Sequence, residues 1–477
     1  MRRERWESID GLEPEQAPEA KRLKWLVVAA VVLLVLAAAF AVWAVFIYQP
    51  AAGPAPTPTK TPRMTILTPA AVAPSATPRP PTFTPLPPSP TASLPTDTPL
   101  PPTATTAPTQ TPEPTATLPP PTATPRPTAA SIARMKSPDY GMQIFGWWRP
   151  EVADRDMGYV RDAGFTWIKQ TFAWYDIEGA SKGHYDWSRT DRIVAQAEQY
   201  GLKILVRVDS APNWAKGGSG PMRDLNDFGD FLYVMASRYK GLVEGYQIWN
   251  EPNLSFEWGD QPPDPAAYAR MLKVAYTRIK QADPNALVVT AGLAPTTRDD
   301  HVAMPDEKFV RGMYAAGAKP YFDMLGVHGA GYKAPPEADP GDVARNPVLT
   351  NNDPSPESMK RIYCFRHVED LRKIMVEAGD SAKQVVVLEF GWTVDTRPGS
   401  PYLWHAVSEQ EQADYLVRAY QWAKTHWQPW IGLMSLIYIA NPDWTANDEQ
   451  YWWSITLPSW PVPQVRPAYE RLKAMAK

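Results

Sequence analysis

Two glutamates stand where apolar runs stop. One lies in Ile248-Trp249-Asn250-Glu251-Pro252-Asn253 and the other in Val385-Val386-Val387-Leu388-Glu389-Phe390-Gly391. Two carboxyl groups at two strand tips are suited to breaking an acetal. One acid protonates the departing oxygen while one carboxylate meets the oxocarbenium charge developing at carbon, as hydrolysis of a glycosidic bond requires. Asn250 adds an amide directly beside the first carboxyl.

The elements that must position these groups begin after about Lys136, where the chain turns to mixed apolar and charged residues and holds all but three of its 20 tryptophans. Apolar strand candidates recur near 140–148, 165–173, 202–209, 243–250, 287–293, 323–329, 384–390 and 430–439. Between them lie segments of helical period, among them 188–200, 225–240, 265–282, 361–378 and 409–426, with 465–476 closing the chain. Asp264-Pro265 reads as an N-cap and first-turn proline, and Gly379 as a helix stop. Strands alternating with helices imply parallel pairing, and this number of rounds predicts an α/β (β/α)8 TIM barrel over 136–477. No strand is followed by a glycine-rich turn of the dinucleotide or P-loop type, which excludes the common nucleotide-binding open sheets.

Chemistry on such a barrel sits at the C-terminal strand ends. Those ends offer Arg207 and Asp209 on the third strand, Asn250 and Glu251 on the fourth and His328 on the sixth. Glu389 ends the seventh, and Tyr438 with Asn441 the eighth. Alternation puts Arg207 and Asp209 on one face, and likewise Gln247, Trp249 and Glu251 if the strand stays regular. Either glutamate alone also fits a solvated or ion-paired side chain, and His328 a hydrogen-bonded core histidine. Both glutamates together, at strands four and seven of an eightfold pattern, point to paired carboxyl chemistry. Trp148, Trp174, Trp214, Trp258, Trp392 and Trp444 lie at or beyond strand ends. Two or three of them are expected to stack on sugar rings and the rest to pack.

From about 138 to 477 the chain resembles the retaining glycoside hydrolases of clan A, the superfamily that includes the family 5 cellulases and family 39 β-xylosidases. There an Asn-Glu pair ends the fourth strand and a second Glu the seventh, matched here by Asn250-Glu251 and Glu389. The resemblance implies that Glu251 is the acid/base, Glu389 the nucleophile and Asn250 the donor to the sugar's 2-hydroxyl. Two positions depart from the pattern. Ala330 stands where a tyrosine often holds the nucleophile, leaving Tyr332 as the nearest, and strand two carries Lys169 and Gln170 rather than an arginine, leaving Arg207 as the stand-in. The acid role requires Glu251 to keep a proton, which calls for aromatic walls such as Trp249 or Trp258 and a nearby negative charge. The nucleophile role requires Glu389 to stay ionised, with Arg207, His328 and Tyr332 as candidate partners.

The N-terminal part is organised differently. Residues 1–24 read as a cytoplasmic tail and the uncharged run 25–48 as a transmembrane helix, long enough for an apolar bilayer core of ~30 Å. A cleaved secretory signal is the rival reading, but its apolar region is normally only about 7–15 residues. Lys21, Arg22 and Lys24 precede the span and the next charge is Lys60, so the positive flank predicts a single-pass cell-membrane protein with its catalytic domain extracellular. Residues 49–135 read as a disordered Pro/Thr-rich linker holding nearly half of the chain's 54 prolines, an extended spacer unable to form a core.

A formal net charge of −3 without clustering of either sign gives no nucleic-acid groove. Cys364 is the single cysteine and reads as a buried thiol. The six histidines lack ligand spacing, so neither metal nor cofactor is expected. The polar insert Lys333 to Lys360 follows the sixth strand and is expected to wall the cleft. The expected function is a membrane-anchored retaining glycosidase that cleaves a β-linked polysaccharide or oligosaccharide by double displacement. The alternative is a non-catalytic surface glycan-binding or adhesion module on the same scaffold.

Overall fold

Eight parallel strands form one sheet: β1 (Asp139–Gln143), β2 (Trp167–Thr171), β3 (Lys203–Val208), β4 (Gly245–Ile248), β5 (Leu287–Thr290), β6 (Leu325–Ala330), β7 (Val385–Gly391) and β8 (Ile431–Leu436). The computed structural model describes residues 135–218, 220–461 and 464–477. The expected tail, membrane span and linker lie outside the described residues, apart from Met135. Among the described residues no helix is long and apolar enough to cross a membrane.

The strands follow the order β5-β4-β3-β2-β1-β8-β7-β6. A lone parallel bridge, Val289 with Met324, closes the ring between β5 and β6. It is reinforced where the Gly326 amide donates to Thr290 Oγ1 at 2.8 Å. The result is a (β/α)8 barrel, with every strand followed by a helix. Helices Pro150–Asp162 and Asp306–Ala315 join those expected from periodicity. Asp264 caps Pro265–Ala282 by accepting from the Ala266 and Ala267 amides. Ser408 and Glu411 form a reciprocal capping box at the start of Glu409–His426. Gly379 stops His367–Glu377 with φ of +69°, a conformation that a side chain disfavours.

Strand side chains of one parity, among them Trp167, Leu205, Val289, Val386, Leu388 and Leu433, pack on one another inside the barrel. Those of the other parity, such as Ile168, Val206, Ile248 and Val387, pack outward against the helices. Lys169 and Arg207 stand two residues beyond Trp167 and Leu205, so alternation carries both to the inner face. Strand β7 breaks the rule. Val387 pairs with Val327, yet Glu389 pairs with His328, leaving one extra residue on β7. Such a bulge re-aims the following side chain. Without it, Glu389 would share the outward face of Val387.

Close approach at the seam requires glycine. A Cβ on Gly326 would lie 2.1 Å from the Thr290 carbonyl oxygen and 2.6 Å from Leu388 Cδ1.

The insert after β6 folds into two short helices, Pro340–Arg345 and Glu357–Lys360. It is tied down through Asp353, which accepts from Tyr363 at 2.6 Å and Thr297 at 2.9 Å. Cys364 is buried, and burial pushes its thiol up to about 12.

Candidate active site

Glu389 reaches the inner face through the β7 bulge, with its side chain 15% exposed. Lys169 Nζ, from β2, donates to Glu389 Oε1 at 2.8 Å and to the Leu388 carbonyl at 3.2 Å. Arg207 Nη1 stands 3.7 Å from the same carboxyl oxygen. Burial alone would raise this carboxyl's pKa, but Lys169, His328 and Arg207 outweigh it and hold the group at about 2. Glu389 is therefore a stable carboxylate. Arg207 is held in turn by Asp209, which accepts its Nε–H, and the Ser210 hydroxyl donates to the other Asp209 oxygen at 2.7 Å.

Of the three partners expected for Glu389, Arg207 and His328 act on it and Tyr332 does not. The Tyr332 hydroxyl donates to the Pro295 carbonyl at 3.4 Å, and its ring packs against Tyr363 and His405. The nearest cation is Lys169, at the position where the expected arginine is lacking. A lysine in the middle of Trp167–Thr171, a strand buried at four of its five positions, is itself a signal, because lysine is almost never buried without a partner.

Glu251 is presented differently. Strand β4 ends at Ile248, and the next turn takes Trp249 to φ +70° and Glu251 to φ +42°. For residues with a Cβ this left-handed backbone costs roughly 1–2 kcal/mol each. Neighbouring hydrogen bonds hold it in place. The Trp249 amide donates to Val208 O and its indole to Glu257 O at 2.7 Å, while the Glu251 amide donates to Gly292 O at 2.9 Å. Buried Asn253 clamps the far side through Ala294 and Met304. The expected alternation of Gln247, Trp249 and Glu251 therefore fails. Trp249 turns into the core, and Glu251 Oε1 meets His328 Nδ1 at 3.0 Å. His328 packs directly on Gly292, where a Cβ would fall 2.1 Å from its Cδ2.

Trp249 and Trp258, named as aromatic walls for Glu251, are both buried. The nearby negative charge comes from Glu257 and Glu449, two residues that the pattern of strand tips did not include. Burial raises the Glu257 carboxyl to about 7, with Glu251 and Asp209 adding to the rise while Arg207 and the Asn250 amide oppose it. Burial also raises Glu449, with the nearby Tyr402 hydroxyl opposing the rise and the Glu251 charge adding to it. Tyr438 at the end of β8 feels burial first and then the charges of Glu389, Glu449 and Glu251. Both glutamates also act electrostatically on Lys169.

Residues 130–317 match the family described as Cellulase (glycosyl hydrolase family 5). Among solved structures, the fold is similar to a family 39 glycoside hydrolase from the gut symbiont Bacteroides cellulosilyticus WH2, with 19% identity and a TM-score of 0.50 over 71% of this chain and 63% of that one. The chain resembles the clan A glycoside hydrolases. A glucosidase from Croceicoccus marinus aligns at 14% identity and TM-score 0.50, over 72% of this chain and 67% of that one. The GH5_18 protein from Streptomyces cattleya, solved with GlcNAc, aligns at 12% and 0.50, over 71% and 79%. No curated protein matches the chain. The chain thus spans less than two thirds of the length of the family 39 structure.

In this clan A-like barrel the six tryptophans divide by burial. Trp174, Trp258 and Trp392 are fully buried and have no face for a sugar. The Trp174 indole donates to Glu178 Oε2 and the Trp392 indole to Ala334 O. Trp214 is half-buried, packs edge-on against Trp174 and donates to Glu178 O. Trp148 is 62% exposed, with the Arg189 guanidinium 4.3 Å from its ring centroid. Trp444 is half-buried and meets Phe145 and Tyr438 edge-on, an aromatic group at the end of β8.

Among the described residues, Glu307, His367 and Asp370 bring potential metal-ligating atoms within 4.8 Å of one another. His367 already uses both ring nitrogens, on Asp306 at 2.9 Å and Asp370 at 3.2 Å, and Arg361 holds Asp370 from the other side. This is an ion-paired clasp between helices Asp306–Ala315 and His367–Glu377.

Proposed function

We propose that the barrel is a retaining glycosidase acting on a β-linked glycan. One observation carries this reading: two glutamates at the tips of β4 and β7 sit in opposite electrostatic settings. Glu389 is ion-paired with Lys169, whereas Glu251 meets the His328 imidazole and lies within electrostatic reach of the Glu257 and Glu449 carboxyl groups. Divergent settings for two carboxyls are what separate an acid from a nucleophile.

In the proposed reaction Glu389 attacks the anomeric carbon as the bond to the leaving sugar breaks, and Glu251 gives its proton to the departing oxygen. Water then attacks the glycosyl-enzyme and loses a proton to Glu251, and Glu389 is released. His328 holds the Glu251 carboxyl, Asn250 engages the neighbouring hydroxyl, and Trp148 and Trp444 offer ring faces for sugar units. Residues 25–48 anchor the chain in the cell membrane with the barrel outside, a reading supported by the positive flank before the span.

The test is a screen of the purified full-length chain on aryl β-glycosides and on β-glucan, xylan and mannan, with NMR following the anomer of the first product. Glu389→Ala should abolish turnover with the fold intact. Glu251→Ala should lose ~10²–10⁴-fold on substrates that need leaving-group protonation and less on activated aryl glycosides. Undiminished hydrolysis by Glu389→Ala would remove the assignment. Glycan binding without release of reducing sugar would favour the non-catalytic surface module instead.

A further inference from the structure

Trp148 lies in the loop after β1, and Arg189 is the second residue of helix Ser188–Tyr200, which follows β2. Both segments begin where parallel strands end, at the end of the barrel that also presents Glu251 and Glu389. Arg192, one turn further along the helix, fixes the loop. Its guanidinium donates to the Gly146 carbonyl at 2.9 Å, to the Trp147 carbonyl at 2.8 Å and to Gln196 Oε1 at 2.9 Å, while Gln196 Nε2 donates to the Pro150 carbonyl at 3.0 Å. Trp148 sits between these anchors with its side chain largely in solvent.

Arg189 is held in another way. Its guanidinium carbon stands 4.3 Å from the Trp148 ring centroid and 5.8 Å from that of Trp147. Its Nη1 lies 3.8 Å from Asp176 Oδ1, too far for a hydrogen bond. Among the described residues the guanidinium makes no hydrogen bond, although its side chain is only 37% exposed. Its donors are thus set in place on aromatic rings and left unfilled. A stacked guanidinium loses little further freedom on binding, and its planar fork matches a carboxylate. The neighbouring Arg149 is already engaged by Asp443 of the loop after β8, at 3.2 Å.

We propose that Trp148 and Arg189 form an outer subsite for an acidic sugar unit, with the exposed indole against the ring of a uronate and the Arg189 fork on its carboxylate. The proposal rests on the glycosidase reading and narrows its substrate class to a β-linked glycan carrying uronic acid units. A neutral sugar at the same place would use the indole alone.

Binding is measured with the full-length chain carrying Glu389→Ala, so that no polymer is cut, by affinity electrophoresis and calorimetry. The probes are glucuronoxylan against its carboxyl-reduced form, and carboxymethyl-cellulose against hydroxyethyl-cellulose. Each pair keeps a backbone and changes its charge. A charged polymer should bind roughly 5-fold tighter than its neutral counterpart, the upper end for a partly exposed ion pair. The preference should shrink as salt rises from about 0.02 to about 0.5 M. Arg189→Gln should erase the preference and leave the affinity for neutral polymer as it was, and Arg189→Lys should keep part of it. Trp148→Ala should weaken both members of a pair.

Equal affinity, or none, within both pairs would overturn the proposal, as would a preference that survives Arg189→Gln. So would an Arg189→Gln variant that loses charged and neutral polymers alike, which marks a packing role beneath Trp148. None of these results touches hydrolysis in the screen. If the wild type cleaves no glycoside at all, the glycosidase reading is what falls.

Discussion

Replacing Lys169 by Met removes the buried charge beneath Glu389 while nearly preserving side-chain length. Opposite charges about 4 Å apart attract by about 4 kcal/mol at an effective dielectric near 20, or about three pK units. Arg207 at 3.7 Å and His328 remain, and burial then pushes the carboxyl upward with less opposition. The Glu389 pKa should therefore rise by roughly two to three units. Loss of the charge-assisted hydrogen bond should also cost about 1.5–3 kcal/mol in holding the proposed nucleophile, or roughly 10- to 100-fold in kcat/KM. The assay is kcat/KM against pH on an aryl β-glycoside. The acid limb should move to higher pH in Lys169→Met and return toward the wild-type position in Lys169→Arg. The folded pKa of Glu389 is depressed, so its contribution to stability is present above the ordinary carboxylate range and lost as pH falls toward about 2. The stability difference between wild type and Lys169→Met should accordingly narrow in acid. An unmoved acid limb with kcat/KM close to wild type would refute the assignment of Lys169 as the group that keeps Glu389 ionised.

His367→Gln should destabilise the barrel by about 3–5 kcal/mol at pH 6, because it leaves buried Asp306 without its counter-charge. Burial would lower the His367 pKa, but Asp306 and Asp370 raise it to about 10. A raised folded pKa gives stability that is complete below about 6.5 and is lost as pH rises through about 10. Urea titrations should show the gap between variant and wild type closing as pH rises from about 6.5 to about 10, and a gap constant from pH 7 upward would mean a neutral imidazole. Gly326→Ala should cost roughly 3 kcal/mol, since the atom its Cβ meets is a backbone oxygen that cannot swing aside. A thermal midpoint within a degree of wild type would show that the seam yields.

The barrel was legible because its evidence is local and repeated. Each apolar run is short, the helices between them are amphipathic, and end signals such as Asp264-Pro265 and Gly379 announce themselves in a few residues. Asn250-Glu251 and Glu389 were legible as polar ends to apolar runs. What alternation could not supply was the bulge on β7, which adds one residue and leaves no compositional mark. Nor could it anticipate the left-handed turn at Trp249 and Glu251, where tertiary hydrogen bonds override a regular strand. Lys169 was visible but set aside through comparison with an arginine, although its own burial demanded a carboxylate. Trp174, Trp258 and Trp392 occur at strand ends like Trp148, and only packing separates a core indole from an open one.

The join between β5 and β6 divides the proposed catalytic machinery unequally. Glu251 hangs by its amide from Gly292, just past β5, while its imidazole partner rides on β6 across that sparsely bonded line. Glu389 and Lys169 belong to strands knitted on both flanks. Local breathing would begin where the stitches are fewest, parting the proposed proton donor from its histidine while leaving the proposed nucleophile charged. Heat or denaturant should thus silence protonation of the leaving group before the barrel as a whole gives way.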